Sequence, residues 1–265
     1  MKVENYIEIN KKTWNNKVPF HIDSQFYDME NFLKGKNSLP EIDITLLENI
    51  KGKNILHLQC HFGQDSLSLT RLGAKVTGID LSDKAIEKAR ELNNQLRLDA
   101  SFICCDVYET LKHLKEKFDI VYTSYGTIGW LPDLDKWAEV ISGALKPNGK
   151  FVFVEFHPVL WMFDDNFTKI QYHYHNEQPI IEEYTGTYAN KKAEITTNYI
   201  GWNHSLSEVF QALLKNGLQI EHFNEYDYSN YDCFNETVEF EPRKFRIKHL
   251  ENRIPMMYSL KCSKK

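Results

Sequence analysis

From about residue 53 onward, short apolar runs alternate with stretches whose apolar residues recur three and four apart. That alternation is the signature of a parallel α/β sheet with helices wound on both faces. "NILHLQ" reads as a strand, "DSLSLTRLG" as a helix closed by Gly73, and "KVTGID" as the next strand. Ser82 stands where an N-cap belongs, ahead of "DKAIEKARELNNQ", a helix that turns Ile86 and Ala89 inward. "SFICC" gives a third strand, "VYETLKHLKE" a helix and "FDIVYTSY" a fourth strand. "DLDKWAEVISGAL" is a helix stopped at Pro147, Asn148 and Gly149, and "KFVFVEF" is a fifth strand.

Two segments depart from this rhythm. Residues 1–45 are polar and dotted with aromatics, which predicts an N-terminal cap. From Trp161 to Ile200 the runs "KIQYHYH", "IIEEYTGTY" and "EITTNYI" are aromatic and β-branched, which predicts an inserted, β-rich lid over 161–200. Helical spacing returns in "SLSEVFQALLKNG", with Ser205 or Ser207 as cap, and "LQIEHFNEY" and "IPMMYSLKC" complete the sheet. The expected organisation is one domain, with its nucleotide-type core over 46–160 and a closing helix and antiparallel strands over 201–265.

Composition narrows the partners. The chain has 265 residues, 26% of them charged, and a formal net charge of −5 with Lys and Arg scattered, so it lacks the basic footprint of a nucleic-acid binder. Five cysteines without a repeated spacing, Cys104 and Cys105 adjacent, suit neither a disulfide framework nor zinc and point to a reducing cytoplasm. The opening "MKVENYIEINKKTWNN" lacks a signal-peptide run, and no stretch approaches the about 20 apolar residues of a membrane span. A soluble, cytoplasmic protein is expected, with monomer or homodimer left open.

In a doubly wound sheet, ligands bind beyond the carboxyl ends of the strands, beside the switch in strand order. Asp80, directly after the second strand, is placed to accept hydrogen bonds from ribose hydroxyls, and Asp106, one strand later, from an adenine amine. The first loop, "HLQCHFGQ", keeps only Gly63, with Gln59 and His61 standing where a G-x-G-x-x-G loop has glycines. Close packing against a diphosphate is therefore disfavoured, which argues against a nicotinamide dinucleotide and for a cofactor without phosphates. A metal held by His57, Cys60 and His61 fails on geometry, because alternation sends neighbouring side chains to opposite sides and no further ligand pair follows. No metal is expected, and Cys60 reads as a small buried residue.

On these motifs residues 53–157 resemble class I S-adenosylmethionine-dependent methyltransferases. "ILHLQCHFG" matches the first motif, "VTGIDLS" the ribose motif, "FICCDVY" the adenine motif, and "FDIVYTSYGTIGWLPDLDKWAEVISGALKPNGKFVFVEFHP" the fourth strand through the fifth. The sequence also resembles a bacterial subset in which His-Leu-Gln-Cys-His-Phe-Gly is itself the first motif. The resemblance implies a Rossmann-like, seven-stranded, mostly parallel sheet that carries the N-terminal cap and the inserted lid. It implies S-adenosyl-L-methionine as cofactor, S-adenosyl-L-homocysteine as product, and a small-molecule acceptor methylated at oxygen, nitrogen or sulfur.

The cofactor contacts it implies are His57, Gln59, Cys60, His61, Gly63, Asp80, Leu81, Asp106, Val107, Ser124 and Tyr125. His57 replaces the usual acid that receives the cofactor's amine; a neutral imidazole nitrogen accepts the same bond. The replacement also suits a protein that binds the cofactor without turnover, as a sensor would. Trp14, Tyr125, Trp161, Tyr184 and Trp202 are expected to wall the acceptor pocket. His157 and His204 are the candidates for a general base, since histidine titrates near working pH.

Overall fold

The computed structural model describes residues 4–265. Three helices, α1 (Tyr6–Ile22), α2 (Met29–Leu33) and α3 (Glu41–Leu47), precede an alternating core. The core runs β1 (Asn54–Leu58), α4 (Gln64–Arg71), β2 (Lys75–Asp80), α5 (Asp83–Leu96), β3 (Ser101–Cys104), α6 (Thr110–His113), β4 (Phe118–Ser124), α7 (Leu134–Ala144) and β5 (Leu145–Phe156). There follow β6 (Ile180–Thr185), β7 (Thr196–Gly201), α8 (Leu206–Lys215), β8 (Leu218–Tyr226), β9 (Thr237–Glu241), β10 (Lys244–Ile247) and β11 (Met257–Lys264).

The helices begin where their caps dictate. Ser82 Oγ accepts from the Ala85 N–H at 3.0 Å, Asp133 Oδ1 from Lys136 at 3.1 Å and Ser205 Oγ from Glu208 at 3.3 Å. Each such cap stabilises its helix by about 1 kcal/mol. The seven-stranded sheet has the order β3-β2-β1-β4-β5-β11-β8, with β11 antiparallel to both its neighbours. Alternation puts Ile55 of β1 among Leu46 and Leu69 on one face, and Leu56 and Leu58 among Trp137 and Val209 on the other. A strand covered on both faces reads as a continuous apolar run, which is why these strands were legible.

The structure corrects several expectations. Pro147, Asn148 and Gly149 do not separate helix from strand: α7 runs straight into β5. Pairing of β4 with β5 steps from Phe118–Leu145 to Ile120–Lys150, so those residues bulge out of the strand. "KIQYHYH" forms no strand, only an isolated bridge between Phe163 and Ile170, while β6 and β7 pair with each other as a separate hairpin. The N-terminal segment is helical, and the buried positions of α1 are mostly polar: Asn10, Thr13, Lys17 and His21, with Val18. A polar buried face leaves no apolar 3.6-residue period to read.

β1 lies between β2 and β4, so the connections leaving β1 and β4 diverge and open a crevice at their carboxyl ends. Helix α1 crosses it and ties itself to the β6/β7 hairpin. Asn10 Nδ2 donates to the Ile200 carbonyl at 2.8 Å, its Oδ1 accepts from the Ile200 N–H at 3.2 Å, and the Thr13 hydroxyl donates to the Asn198 carbonyl at 2.5 Å. Helix and hairpin thus close over the crevice as one piece.

Candidate functional site

The crevice is a cavity of about 960 Å³ walled by the loops that follow β1, β2, β3 and β4, by α1, and by the 161–200 segment. That is the upper end of the range for small-molecule sites, enough for two ligands side by side.

Its floor is the loop after β1. The Cys60 N–H donates to the Ile79 carbonyl at 2.8 Å, so the chain follows β2 to its end before turning. Gln59 (φ 53°) and His61 (φ 51°) then take the left-handed conformation a glycine would take. For residues with a Cβ this costs on the order of 1 kcal/mol each, and such strain gathers at functional sites. Side-chain bonds offset it. Gln59 Nε2 donates to the Thr127 carbonyl at 2.8 Å, and His61 Nε2 lies 2.9 Å from His21 Nδ1. Gly63 is irreplaceable for another reason, since a Cβ there would stand 2.7 Å from the Phe102 ring.

Asp80 and Asp106 stand side by side on the cavity wall at the ends of β2 and β3. Asp80 Oδ2 accepts from the His61 N–H at 2.7 Å and Oδ1 from the Ser82 N–H at 2.8 Å, and burial pushes its carboxyl up to about 6. It therefore shapes the first loop as well as facing the cavity. Asp106 Oδ1 accepts from the Tyr108 N–H at 3.0 Å, and burial raises it too. Leu81, Val107 and Ser124 also line the cavity.

His57 lines the cavity with its Nδ1 2.7 Å from Ser66 Oγ and its ring tilted against Tyr122; burial pulls it down to about 3, so it is neutral. Cys60 is buried, and burial holds its thiol well above the ordinary range, which removes it as a nucleophile. Tyr125 (φ 51°) is locked by its hydroxyl, which donates to Asp43 Oδ2 at 2.6 Å and accepts from Asn230 Nδ2 at 3.0 Å. Trp14, Trp161, Tyr184 and Trp202 all line the cavity, Trp202 buried and Trp161 and Tyr184 partly exposed.

The two histidines expected as bases do not reach the cavity. β5 ends at Phe156, and the turn carries His157 toward β8 and β11, where Nδ1 accepts from the Val159 N–H at 3.2 Å and Nε2 lies 2.9 Å from Glu225 Oε1. His204 is buried ahead of α8, with Nε2 2.7 Å from the Leu131 carbonyl and Nδ1 3.0 Å from Glu208 Oε1. Both are packing histidines that pin loops.

Sequence reasoning missed Glu155. Its buried carboxylate accepts from the N–H groups of Gly126, Thr127 (2.7 Å), Ile128 (3.3 Å) and Phe156 (2.7 Å) and from the Thr127 hydroxyl (3.0 Å). It thereby fixes the loop after β4. The lone acid inside "FVFVEF" was the signal, since a buried strand carries a charge only where donors converge on it. It missed Lys17 and Trp130 as well, both of which line the cavity.

Residues 55–149 match the family model described as a methyltransferase domain. A ubiquinone biosynthesis O-methyltransferase of Coxiella burnetii is 33% identical over 104 residues, 39% of this chain and 44% of that protein. This chain's likeness therefore spans less than half of that relative's length. An uncharacterized protein of Haemophilus influenzae is 27% identical over 225 residues, 76% of this chain and 88% of that one. Among solved structures, a geranyl diphosphate C-methyltransferase of Streptomyces coelicolor, in complex with Mg2+, geranyl-S-thiolodiphosphate and S-adenosyl-L-homocysteine, matches over 100% of both chains at a TM-score of 0.64 and 13% identity. Over residues 55–149 the chain matches a methyltransferase domain, and its sheet has the Rossmann-like fold seen in solved S-adenosylmethionine-dependent methyltransferases. Among the described residues no group of three or more His, Cys, Asp or Glu is arranged for a metal, and no helix is long and apolar enough to cross a membrane.

Proposed function

We propose that the protein transfers a methyl group from S-adenosylmethionine to an oxygen, nitrogen or sulfur of a small molecule, in the cytoplasm. The observation that carries this reading is the pair of carboxylates, Asp80 and Asp106, facing one cavity from adjacent strand ends. Two acceptors so placed suit a ribose and an adenine. Gln59 Oε1, buried at the same wall without a hydrogen-bond partner among the described residues, suits the cofactor's amine better than His57, whose Nδ1 is engaged by Ser66. The cofactor supplies an electrophilic methyl on a sulfonium.

The chain's part is to hold an acceptor in line with that methyl, since near-attack alignment alone removes much of a barrier. Tyr125, held by Asp43 and Asn230, gives a fixed wall. Trp161 and Tyr184, on the 161–200 segment read as a lid, keep water out. With His157 and His204 turned away, proximity carries the reaction unless the acceptor brings its own acidity.

Calorimetric titration tests the reading. S-adenosylhomocysteine should bind and NAD should not, and Asp80→Asn should weaken S-adenosylhomocysteine by about 30-fold, as expected for losing a charged acceptor. Preference for NAD, or an unchanged affinity in folded Asp80→Asn protein, would overturn it.

A further inference from the structure

Helix α1 lies along the cavity as a ruler. Tyr6, at one end, lines the cavity; His21, at the other, is bonded to His61 of the first loop; Asn10, Trp14 and Lys17 line the cavity between them. Lys17 is only 9% exposed. Its Nζ stands 5.2 Å from the Trp14 ring centroid and 5.4 Å from that of Trp130. It has no ion pair among the described residues, and burial alone, with no carboxylate close enough to oppose it, pulls its pKa down to about 8.

An ammonium withdrawn from water is costly to the fold unless something answers its charge, and two indole faces answer only part of it. The corner it occupies says what else would. Phosphate is excluded by the floor, where the Gln59 and His61 side chains replace the bare backbone a phosphate needs. The same cavity leaves Gln59 Oε1 over as an acceptor. One cation with no ion pair among the described residues and one spare acceptor, both lining the same cavity, are the complement of an α-amino acid group, whose carboxylate and amine carry the opposite features.

We propose that Lys17 is the carboxylate-recognition group of this cavity, pairing with the amino-acid carboxylate of a bound small molecule. The proposal rests on the cofactor reading above, and the carboxylate belongs either to the cofactor's own tail or to the acceptor. Ordinary packing is the competing account, in which Lys17 only fills space between Trp14 and Trp130.

The experiment titrates wild type, Lys17→Met and Lys17→Arg with S-adenosylhomocysteine and with 5′-methylthioadenosine, which has the nucleoside and thioether but no amino acid. Binding of S-adenosylhomocysteine to the wild type reports on the cofactor reading, whereas the Lys17 assignment is judged on ratios between variant and wild type. Lys17→Met should lose about tenfold or more in affinity for S-adenosylhomocysteine with methylthioadenosine unchanged, and Lys17→Arg should restore most of the loss. Its unfolding midpoint should not fall, because an unpaired buried charge has been removed. If both nucleosides bind Lys17→Met as they bind wild type, benzoate added to the S-adenosylhomocysteine-loaded protein should bind wild type and not Lys17→Met, which assigns the carboxylate to the acceptor. Equal losses for both nucleosides, or no change with any of the three probes, would overturn the proposal.

Discussion

Glu155 shows how much one side chain can hold. Five donors converge on its carboxylate, and four of them are backbone N–H groups, three in the turn after β4 and one at Phe156. Glu155→Gln keeps the shape but exchanges one acceptor oxygen for an NH2 that must face those same donors. It should lower the unfolding free energy by about 2–4 kcal/mol in urea denaturation. A change under about 0.5 kcal/mol would show that water, not Glu155, satisfies the loop. The ease with which single residues could be read tracks this kind of locality. Asp80 and Asp106 were legible because a strand end fixes where its next side chain goes. Lys17 was not, because the Trp130 ring that helps to cover it comes from the loop after β4, far downstream in sequence. His157 and His204 misled for the same reason, since proximity in sequence to a strand end said nothing of the Glu225 and Leu131 groups that capture them.

Among the elements, the core helices and strands announce themselves through caps and apolar period, and the β6/β7 hairpin through its β-branched runs, whereas α1 and the β9/β10 hairpin do not. The buried face of α1 is polar because it docks on the backbone of β7 rather than on a core: Asn10 spans both the N–H and the carbonyl of Ile200. β9 is largely exposed and β10 buries only Ile247, so this hairpin likewise offered no apolar alternation to read. The docking predicts a coupling. Asn10→Ala strands two buried backbone groups, so amide exchange at Ile200 and its neighbours in β7 should speed by about 10-fold or more, while exchange in β1 and β4 stays as it was. Equal acceleration throughout the sheet would mean that α1 supports the core itself and not the cover over the cavity.

For the whole molecule the decisive quantity is how the fold responds to acid, and two sets of buried groups pull against each other. His21, His57 and His61 are held neutral by burial, His21 at about 2 and the others at about 3 against an ordinary value near 6.5. A depressed histidine favours the folded state above the unfolded value, and that advantage drains away as pH falls from 6.5 toward 3. Asp80 at about 6 and Asp43 at about 7 have the opposite sign, since a raised carboxyl keeps its proton in the fold and stability grows as pH falls from 7 to the ordinary carboxylate value near 4. Asp65, Asp106 and Glu155, also raised by burial, act with them. The two sets oppose each other between about 4 and 6.5, so stability should be nearly level there. Below about 4 the carboxyls are protonated folded or unfolded and offset nothing, while the three imidazoles still resist a proton. Each then removes about 1.4 kcal/mol per pH unit, and together they should unfold the protein cooperatively. Urea midpoints measured from pH 8 to pH 3 should hold level to about 4.5 and then collapse, with His61→Gln softening the collapse by about a third. Undiminished stability at pH 3.5 would mean that the imidazoles take up protons in place, and that the buried histidine pair beneath α1 opens to water.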